Sequence, residues 1–193
     1  MPARVIRNGD LVRVPWKNGG GTTAEVAAFP EGSGFETFGW RISMADVASD
    51  GPFSVFPGID RTLILVEGSG IELDIEGVSY RLDSAFPKLS FAGDDATVGR
   101  LPSGPIRDLN VMTRRGRFNH RTRIMESGIA LLSEDTDAAF IVAMDAALDV
   151  TVGDAIHSLQ RLDTLALAST QEIIQLAGSG RAILIEIAPE AAQ

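Results

Sequence analysis

The amino-acid sequence predicts an all-β protein, either a sandwich or a barrel built from many short strands. Short apolar or alternating runs occur along the whole chain, and the clearest of them cover residues 62–66, 71–75 and 182–185. Glycine and proline clusters separate these runs, as expected where tight turns join strands. The spacing of apolar residues fits helical periodicity poorly. Together these three observations favour strands throughout.

Two segments carry the strongest hairpin pattern, because in each a Gly-Ser-Gly turn separates two apolar runs. The first turn, at residues 68–70, follows the run 62–66, and the second, at 178–180, follows the run 173–176. We predict a hairpin at each, with one buried face, and interpret the repeated turn as the mark of an internal repeat in two halves. The polar stretch 114–123 is the predicted junction between them. Further strands are predicted at 40–45, 140–143, 149–152 and 165–168.

Composition narrows the functional class. The chain has 193 residues and a formal net charge of −9, which argues against a nucleic-acid partner. It contains no cysteine, so disulfides and thiolate-bound metals are excluded. We find no apolar signal region at the N-terminus, and no run approaches the ~20 residues that span a membrane. We therefore expect a cytoplasmic protein with no membrane association.

Metal and cofactor sites have little support in the sequence. The two histidines, His120 and His157, are far apart and form no His-x-His or His-x-x-x-His pair. Lys17 precedes the glycines at 19–21, whereas a phosphate-binding P-loop needs its lysine after them. The turn at 68–70 matches only the first half of a dinucleotide fingerprint. We expect no metal and no cofactor.

The most distinctive segment is Trp-Lys-Asn-Gly-Gly-Gly-Thr-Thr-Ala-Glu at residues 16–25. Three consecutive glycines cost backbone entropy, so they indicate positive φ angles or a close approach of the backbone to another group. Ammonium, amide, hydroxyl and carboxylate groups flank them. We interpret the segment as one wall of a small-molecule pocket, and an elaborate turn is the alternative.

Side-chain alternation places several polar residues on shared strand faces. Arg41 and Ser43 share one face, Asp108 and Asn110 share another, and Arg61 opens a third strand. If these faces line one interior, they form a concave site suited to a carboxylate, because arginine can bind both oxygens at once. The alternative is that the residues point outward or form ion pairs.

Four motifs follow one another along the N-terminal part of the chain. They are Trp16-Lys17-Asn18-Gly19-Gly20-Gly21-x-Thr23-x-Glu25, Trp40-Arg41-Ile42-Ser43, Gly51-Pro52-Phe53-Ser54-x-Phe56-Pro57-Gly58-x-Asp60-Arg61 and Asp108-x-Asn110-Val111-Met112. Together they closely resemble the HutD/Ves family. The resemblance implies a metal-free bicupin, with two cupin-type β-barrel halves at residues 1–116 and 117–193. It also implies a role in histidine utilisation through a pathway metabolite, with N-formylglutamate and urocanate as candidates.

The motifs supply the candidate ligand-binding residues. These are Trp16, Lys17, Asn18, Thr23, Glu25, Arg41, Ser43, Arg61, Asp108 and Asn110, with Lys17 added for its charge. We expect Arg41 and Arg61 to pair with a carboxylate, and Trp16 or Trp40 to supply an apolar wall. Amide and hydroxyl side chains would orient the ligand, and glycines 19–21 would let backbone amides approach it.

The leading functional hypothesis is a non-enzymatic binder of a small carboxylate metabolite that modulates histidine utilisation. The first alternative is a metal-free cupin enzyme, an isomerase or hydrolase of a related acid, with Glu25 or Asp108 as acid or base. Against this, Glu25 is expected to pair with a nearby arginine or lysine. The second alternative is a stress-related protein-interaction module. Its contact would be the arginine cluster, defined as Arg114, Arg115, Arg117, Arg121 and Arg123. The cupin resemblance also allows a homodimer.

Overall fold

A computed structural model describes residues 3–168 and 173–190, and within these ranges the chain is built from strands and one short 3-10 turn, Asn8–Asp10. The predicted all-β class is confirmed, and the four further strands predicted at 40–45, 140–143, 149–152 and 165–168 are all present. No helix in the described ranges is long and apolar enough to cross a membrane. The strands are β1 (Arg4–Ile6), β2 (Arg13–Pro15), β3 (Gly21–Phe29), β4 (Trp40–Val47), β5 (Gly51–Pro52), β6 (Ile59–Glu67), β7 (Ile71–Ile75), β8 (Val78–Leu82), β9 (Lys88–Ala92), β10 (Thr97–Arg100), β11 (Ile106–Arg114), β12 (Phe118–Met125), β13 (Gly128–Leu131), β14 (Ala138–Ala143), β15 (Leu148–Val152), β16 (Ala155–Leu159), β17 (Thr164–Ala168), β18 (Ile173–Ala177) and β19 (Ala182–Pro189).

The chain divides into two compact units. The first unit is Val12–Arg117, and the second combines Met1–Leu11 with Phe118–Gln193. The first unit has a six-stranded sheet, β2-β3-β4-β11-β6-β9, and a four-stranded sheet, β5-β10-β7-β8. The second has a five-stranded sheet, β1-β17-β14-β19-β12, and a four-stranded sheet, β13-β18-β15-β16. Among the described residues, the hydrogen-bonded strands of each unit form two separate sheets, so the closed barrels that the resemblance implies are not seen.

The two units repeat one strand order. The sequence β4-β11-β6-β9 in the first unit corresponds to β12-β19-β14-β17 in the second, and β5-β10-β7-β8 corresponds to β13-β18-β15-β16. Both sets are antiparallel throughout. The predicted internal repeat is therefore present as a topology.

The two predicted hairpins are wrong. β6 pairs with β11 and β9, whereas β7 pairs with β8 and β10 in the other sheet. The turn at 68–70 thus carries the chain between sheets, and the turn at 178–180 does so between β18 and β19. A Cβ on Gly68, whose φ is +99°, would lie 2.6 Å from Ile106 Cγ2, so the turn packs over the start of β11. The first turn leads from the larger sheet to the smaller and the second leads back, so the two turns do not mark the repeat.

The core of the first unit lies between its two sheets. Leu63 and Leu65 of the six-stranded sheet pack in one cluster with Ile71, Leu73 and Ile75 of the four-stranded sheet. Burying each such side chain contributes about 1.5–3 kcal/mol to folding. A second, smaller cluster holds Phe38, Ile59 and Met112. The inner face of the six-stranded sheet therefore carries apolar side chains in both clusters.

A buried carboxylate anchors the N-terminal strand of the second unit. Arg7 Nη1 donates to Asp163 Oδ2 at 2.6 Å, and the backbone N–H groups of Asn8 and Gln160 also donate to this carboxylate. Burial alone raises the pKa of Asp163, but these three donors outweigh it and hold the pKa below its usual value.

We therefore expect Asp163→Asn to lower the free energy of unfolding by about 1–2 kcal/mol at neutral pH. Because the folded-state pKa is depressed, the contribution of Asp163 is complete above an unfolded-state pKa of about 3.9 and is lost as the pH falls through the folded value. Urea unfolding at pH 7 and pH 3 measures both effects. Asp149→Asn, which removes an exposed carboxylate bonded to Ser158, is the control. Equal stability of Asp163→Asn and wild type at pH 7 would contradict the anchoring role.

Candidate functional site

Four neighbouring strands, β3, β4, β11 and β6, bring polar side chains to the inner face of the six-stranded sheet. Met112 of β11 lies opposite both Arg41 of β4 and Arg61 of β6. One row deeper, Asn110 of β11 lies opposite Ser43 of β4. Strand alternation puts these residues on the face that also carries the core side chains. We call Glu25, Arg41, Ser43, Arg61, Asp108 and Asn110 the polar cluster.

Arg41 is held by two hydrogen bonds and one ring. Its Nε donates to Glu25 Oε2 at 2.8 Å and its Nη1 donates to Ser43 Oγ at 3.0 Å. The guanidinium carbon lies 5.0 Å from the ring centroid of Phe35. Arg41 is only 7% exposed, yet its Nη2 has no acceptor among the described residues. The predicted ion pair of Glu25 is confirmed, and it leaves part of the guanidinium unused.

Arg61 is less exposed than Arg41 and makes fewer hydrogen bonds. It is 5% exposed, and only its Nε is used, in a 2.9 Å hydrogen bond to Asn110 Oδ1. Within the described ranges, no group accepts from its two terminal nitrogens. Burial lowers the pKa of Arg61 to about 10, with the charge of Asp108 opposing this and that of Arg41 adding to it. The side chain is therefore a buried cation at neutral pH.

Three phenylalanine rings enclose the Arg61 guanidinium. Its central carbon lies 5.1 Å from the ring centroid of Phe53, 5.8 Å from that of Phe56 and 5.3 Å from that of Phe91. Cations favour such positions because the ring face is negative. A Cβ on Gly99 would lie 2.6 Å from Phe53 Cε2, so a glycine there leaves room for the ring.

Asp108 is the fully buried acid of the polar cluster. Its Oδ1 accepts from Asn110 Nδ2, while Oδ2 has no hydrogen-bond partner in the described part of the chain. Ala45 and Leu65 flank it in the neighbouring strands. Burial raises the pKa of Asp108 to about 7, although the charge of Arg61 and the bond from Asn110 oppose the shift. Hydrogen bonds thus run from Asp108 through Asn110 to Arg61.

The rings beside the two guanidiniums belong to phenylalanines that were not predicted. Trp40 was a candidate, but it stands on the other face of β4 from Arg41 and stacks on Phe29, with ring centroids 5.9 Å apart. The Trp40 half of that expectation is wrong, because strand parity sends Trp40 away from the polar cluster. The Trp16 half stays a prediction. Phe53 and Phe56 belong to the third motif, so the sequence signal was present. Phe35 and Phe91 had no such signal, because only the fold brings them to the arginines.

The glycine triplet is explained by packing within the chain. Gly19 has a φ of +72°, and Asn18 Oδ1 accepts from the backbone N–H of Gly20 at 3.0 Å. A Cβ on Gly21 would overlap the carbonyl oxygen of Asp46 on β4. These contacts correspond to the alternative interpretation, an elaborate turn. A part for these glycines in ligand approach stays a prediction.

The predicted site residues therefore separate into groups. Six of the ten form the polar cluster. Trp16 Nε1 donates to Thr23 Oγ1 at 2.7 Å, and Thr23 lies opposite Ala45 on the face shared with the cluster. Asn18 stabilises the glycine turn, and Lys17 is exposed on that turn. The structure does not bring the Lys17 ammonium into the polar cluster.

In the second unit, the position that corresponds to Asn110 holds a carboxylate. The β4–β11 and β12–β19 pairs each span eight residues, and aligning them end to end puts Glu186 at the place of Asn110. Glu186 is buried and accepts from Ser133 N at 2.7 Å and Thr136 Oγ1 at 3.1 Å, with Arg123 3.7 Å away. This carboxylate is satisfied internally, and among the described residues of the second unit no lysine or arginine is buried as Arg61 is in the first.

The arginine cluster is largely occupied by local partners. Arg114 donates to the carbonyls of Glu36 and Phe38, and Arg115 pairs with Asp60 and Asp94. In β12, two further members pair with acids of the second unit, Arg121 with Asp135 and Arg123 with Glu186. These contacts weaken the interaction-module hypothesis. Within the described residues, no group of three or more acidic or histidine side chains is arranged to hold a metal ion.

Known proteins resemble the chain over most of its length. A sequence profile of the HutD family matches residues 8–185. An uncharacterised 21.2 kDa protein in the hutC 3' region of Pseudomonas putida is 34% identical over 187 residues, covering 95% of this chain and 96% of the relative. Protein Ves of Citrobacter koseri is 32% identical over 139 residues, covering 69% of this chain and 71% of the relative.

Solved structures also resemble the chain. HutD from Pseudomonas fluorescens SBW25, solved in a formate condition, is 32% identical, with a TM-score of 0.84 over 98% of this chain and 100% of its own. A cupin 2 conserved barrel domain protein from Leptotrichia buccalis is 11% identical, with a TM-score of 0.62 over 97% and 96% of the two chains. The second likeness concerns the fold alone, which is cupin-like. The four motifs, the profile match and these relatives show that the chain belongs to the HutD/Ves family.

Proposed function

We propose that this protein is a non-catalytic binder of a small carboxylate metabolite, of the N-formylglutamate or urocanate class, and that it modulates histidine utilisation in the cytoplasm. The observation that carries the proposal is the Arg61 guanidinium, buried and enclosed by rings, with both terminal nitrogens lacking an acceptor among the described residues. The histidine-pathway assignment rests on the names of the HutD relatives and of the protein in the hutC 3' region.

Charge supports an anionic ligand. The polar cluster holds two guanidiniums, while Glu25 compensates Arg41 and burial raises the pKa of Asp108 to about 7, which disfavours its ionised form. A net positive charge therefore remains on a mostly buried face, where electrostatic interactions are stronger than in water. A carboxylate between Arg41 and Arg61 would satisfy the unused donors and offset this charge.

The surrounding rings favour an acid with a planar or apolar body. The rings of Phe35 and Phe56 lie 5.8 Å apart, and each is also close to one of the two arginines. The rings of Phe35, Phe53, Phe56 and Phe91 all lie within 5.8 Å of one of the two guanidinium carbons, so they offer an apolar wall beside the unused donors. Urocanate and N-formylglutamate both combine a carboxylate with a planar conjugated or amide group.

We also propose that the protein is a bicupin. The repeated strand order of the two units and the cupin-like solved structure support this arrangement. The internally satisfied Glu186 supports a division of roles, in which the first unit binds the ligand.

Thermal unfolding in the presence of candidate acids tests the proposed function. N-formyl-L-glutamate, urocanate, histidine and glutamate would each be added at increasing concentration. At 100 times its Kd, a ligand stabilises the folded state by about 2.7 kcal/mol, which raises Tm by roughly 5–11 °C in a chain of this length. We expect a large shift with one pathway acid. A flat response to all four would contradict the proposal.

Glu25→Gln provides a prediction with a defined sign. Glu25 is partly exposed and pairs with Arg41, and such pairs contribute about 0–1 kcal/mol to stability. Removing its charge frees Arg41 for the ligand, so we expect carboxylate affinity to rise by up to about fivefold, with little change in Tm. Isothermal titration calorimetry measures this effect. A large loss of affinity would instead place Glu25 in direct contact with the ligand.

One observation favours catalysis as a second candidate function. Asp108 has an unpartnered oxygen, and its pKa is raised to about 7, a value suited to an acid or base at neutral pH. Incubation of each acid with protein, followed by product analysis, tests this alternative. Turnover that is lost in Asp108→Asn while binding persists would establish an enzyme.

A further inference from the structure

We propose that Asp108 takes up a proton when an anion binds between Arg41 and Arg61, so that the affinity of the site falls as the pH rises through neutrality. This inference rests on the proposed function, since it concerns the same anion site. It gives the protein a built-in response to pH.

A hydrogen-bonded side chain couples Asp108 to Arg61 directly. Asp108 is 0% exposed, and Asn110 bridges it to Arg61 through its own two polar atoms. The Asp108 oxygen that does not meet Asn110 has no donor within the described ranges. The ionised form is therefore supported mainly by one hydrogen bond and by the nearby charge of Arg61, because water cannot solvate it.

An anion on Arg61 weakens that support. Its negative charge compensates the guanidinium, so the Asp108 carboxylate loses the attraction that opposes the effect of burial. The pKa of Asp108, about 7 in the free protein, must then rise. Proton uptake and anion binding consequently favour each other, as linkage requires.

The other charged groups around Asp108 do not remove this coupling. Arg41 on β4 is paired with Glu25 of β3, and Asp46 on β4 is paired with Arg107 and Arg13. The four-stranded sheet presents apolar side chains to this interior, from Ile71, Leu73 and Ile75. The charges that act on Asp108 are therefore those of Arg61, which lowers its pKa, and of Asp46 on the other face of β4, which raises it.

Among the groups of the first unit with a shifted pKa, Asp108 is the one whose pKa lies near neutrality. Both histidines of the chain, His120 and His157, lie outside Val12–Arg117. Asp46 and Asp94 have lowered pKa values and stay ionised at neutral pH. Arg61, with a pKa of about 10, stays protonated.

Calorimetric titration in two cationic buffers of different ionisation enthalpy, bis-Tris and Tris, measures the proton exchange. The probe is N-formyl-L-glutamate or urocanate, whichever gives the larger thermal shift. Wild type should take up protons on binding, up to about half a proton per anion near pH 7, and its Kd should weaken by up to about fivefold between pH 7 and 8. In Asp108→Asn only the proton exchange and pH dependence that come from the ligand's own titration should remain. Asp94→Asn, which removes an exposed carboxylate of the same unit, should behave as wild type.

The outcomes separate the two proposals. Binding without a difference in proton exchange between wild type and Asp108→Asn would overturn this inference and leave the proposed function standing. If neither acid binds at any pH, the proposed function fails and this inference fails with it. If Asp108→Asn does not fold, carboxyl ¹³C NMR of wild type decides the question. A carboxyl group that titrates near pH 7 must shift its midpoint upward when the acid is bound, and an unshifted midpoint would overturn the inference.

Discussion

Arg61→Met should abolish high-affinity carboxylate binding while leaving the protein folded. Removing one member of a buried, hydrogen-bonded charge pair costs about 2–5 kcal/mol of binding free energy, which is roughly a 30-fold to several-thousand-fold increase in Kd. Methionine keeps much of the side-chain volume among Phe53, Phe56 and Phe91. Replacing a buried charge by an apolar group of similar size is often neutral for stability, and Asp108 can become protonated when the cation is gone.

Arg115→Met is the matched control for this variant. Arg115 belongs to the same unit but is exposed, and it donates two hydrogen bonds to Asp60, at 2.9 Å and 2.7 Å. Calorimetry should give it the wild-type Kd, while near-ultraviolet circular dichroism confirms that both variants are folded. Unchanged affinity in Arg61→Met would remove Arg61 from the ligand site.

Gly21→Ala should produce the largest loss of stability among the glycine substitutions around the first motif. A Cβ at this position would overlap the Asp46 carbonyl oxygen and lie 3.2 Å from Trp16 Cζ3. Since the overlap is with backbone, a rotamer change cannot relieve it, and β3 must move away from β4. We expect a loss of about 3 kcal/mol in the free energy of unfolding, at the upper end for overpacking, and a Tm lower by roughly 6–12 °C.

Gly34→Ala is the corresponding neutral change, because nothing lies within 4 Å of a Cβ built there. Differential scanning calorimetry of both variants beside wild type measures the difference. Because β3 also carries Glu25, Gly21→Ala should in addition disturb the Glu25–Arg41 ion pair. A Gly21→Ala protein as stable as wild type would show that the glycine triplet is needed for something other than packing.

Local patterns in the sequence were sufficient to predict which side chains share a face in part of the polar cluster. The two-residue period of a strand correctly placed Arg41 with Ser43, and Asp108 with Asn110, because parity depends only on neighbours along the chain. The four motifs identified the family for the same reason, since each is a short run of residues.

Pairing between distant strands could not be predicted in this way. An apolar run before a Gly-Ser-Gly turn looks the same whether the next strand pairs with it or crosses to another sheet, so β6 and β7 were wrongly joined. Phe35 and Phe91 reach the arginines only through the folded chain. The near-neutral pKa of Asp108 depends on complete burial between β4 and β6, and no local pattern contains that information.

The central claim is that the unused guanidinium nitrogens of Arg41 and Arg61 bind a carboxylate. NMR titration of protein labelled with ¹⁵N in its arginine side chains tests this claim most directly, with Arg61→Met used to assign the signals. On addition of N-formyl-L-glutamate or urocanate, we predict saturable shifts confined to the guanidinium resonances of Arg41 and Arg61. Saturable binding that leaves these two resonances in place, or that moves those of the arginine cluster instead, would contradict the account.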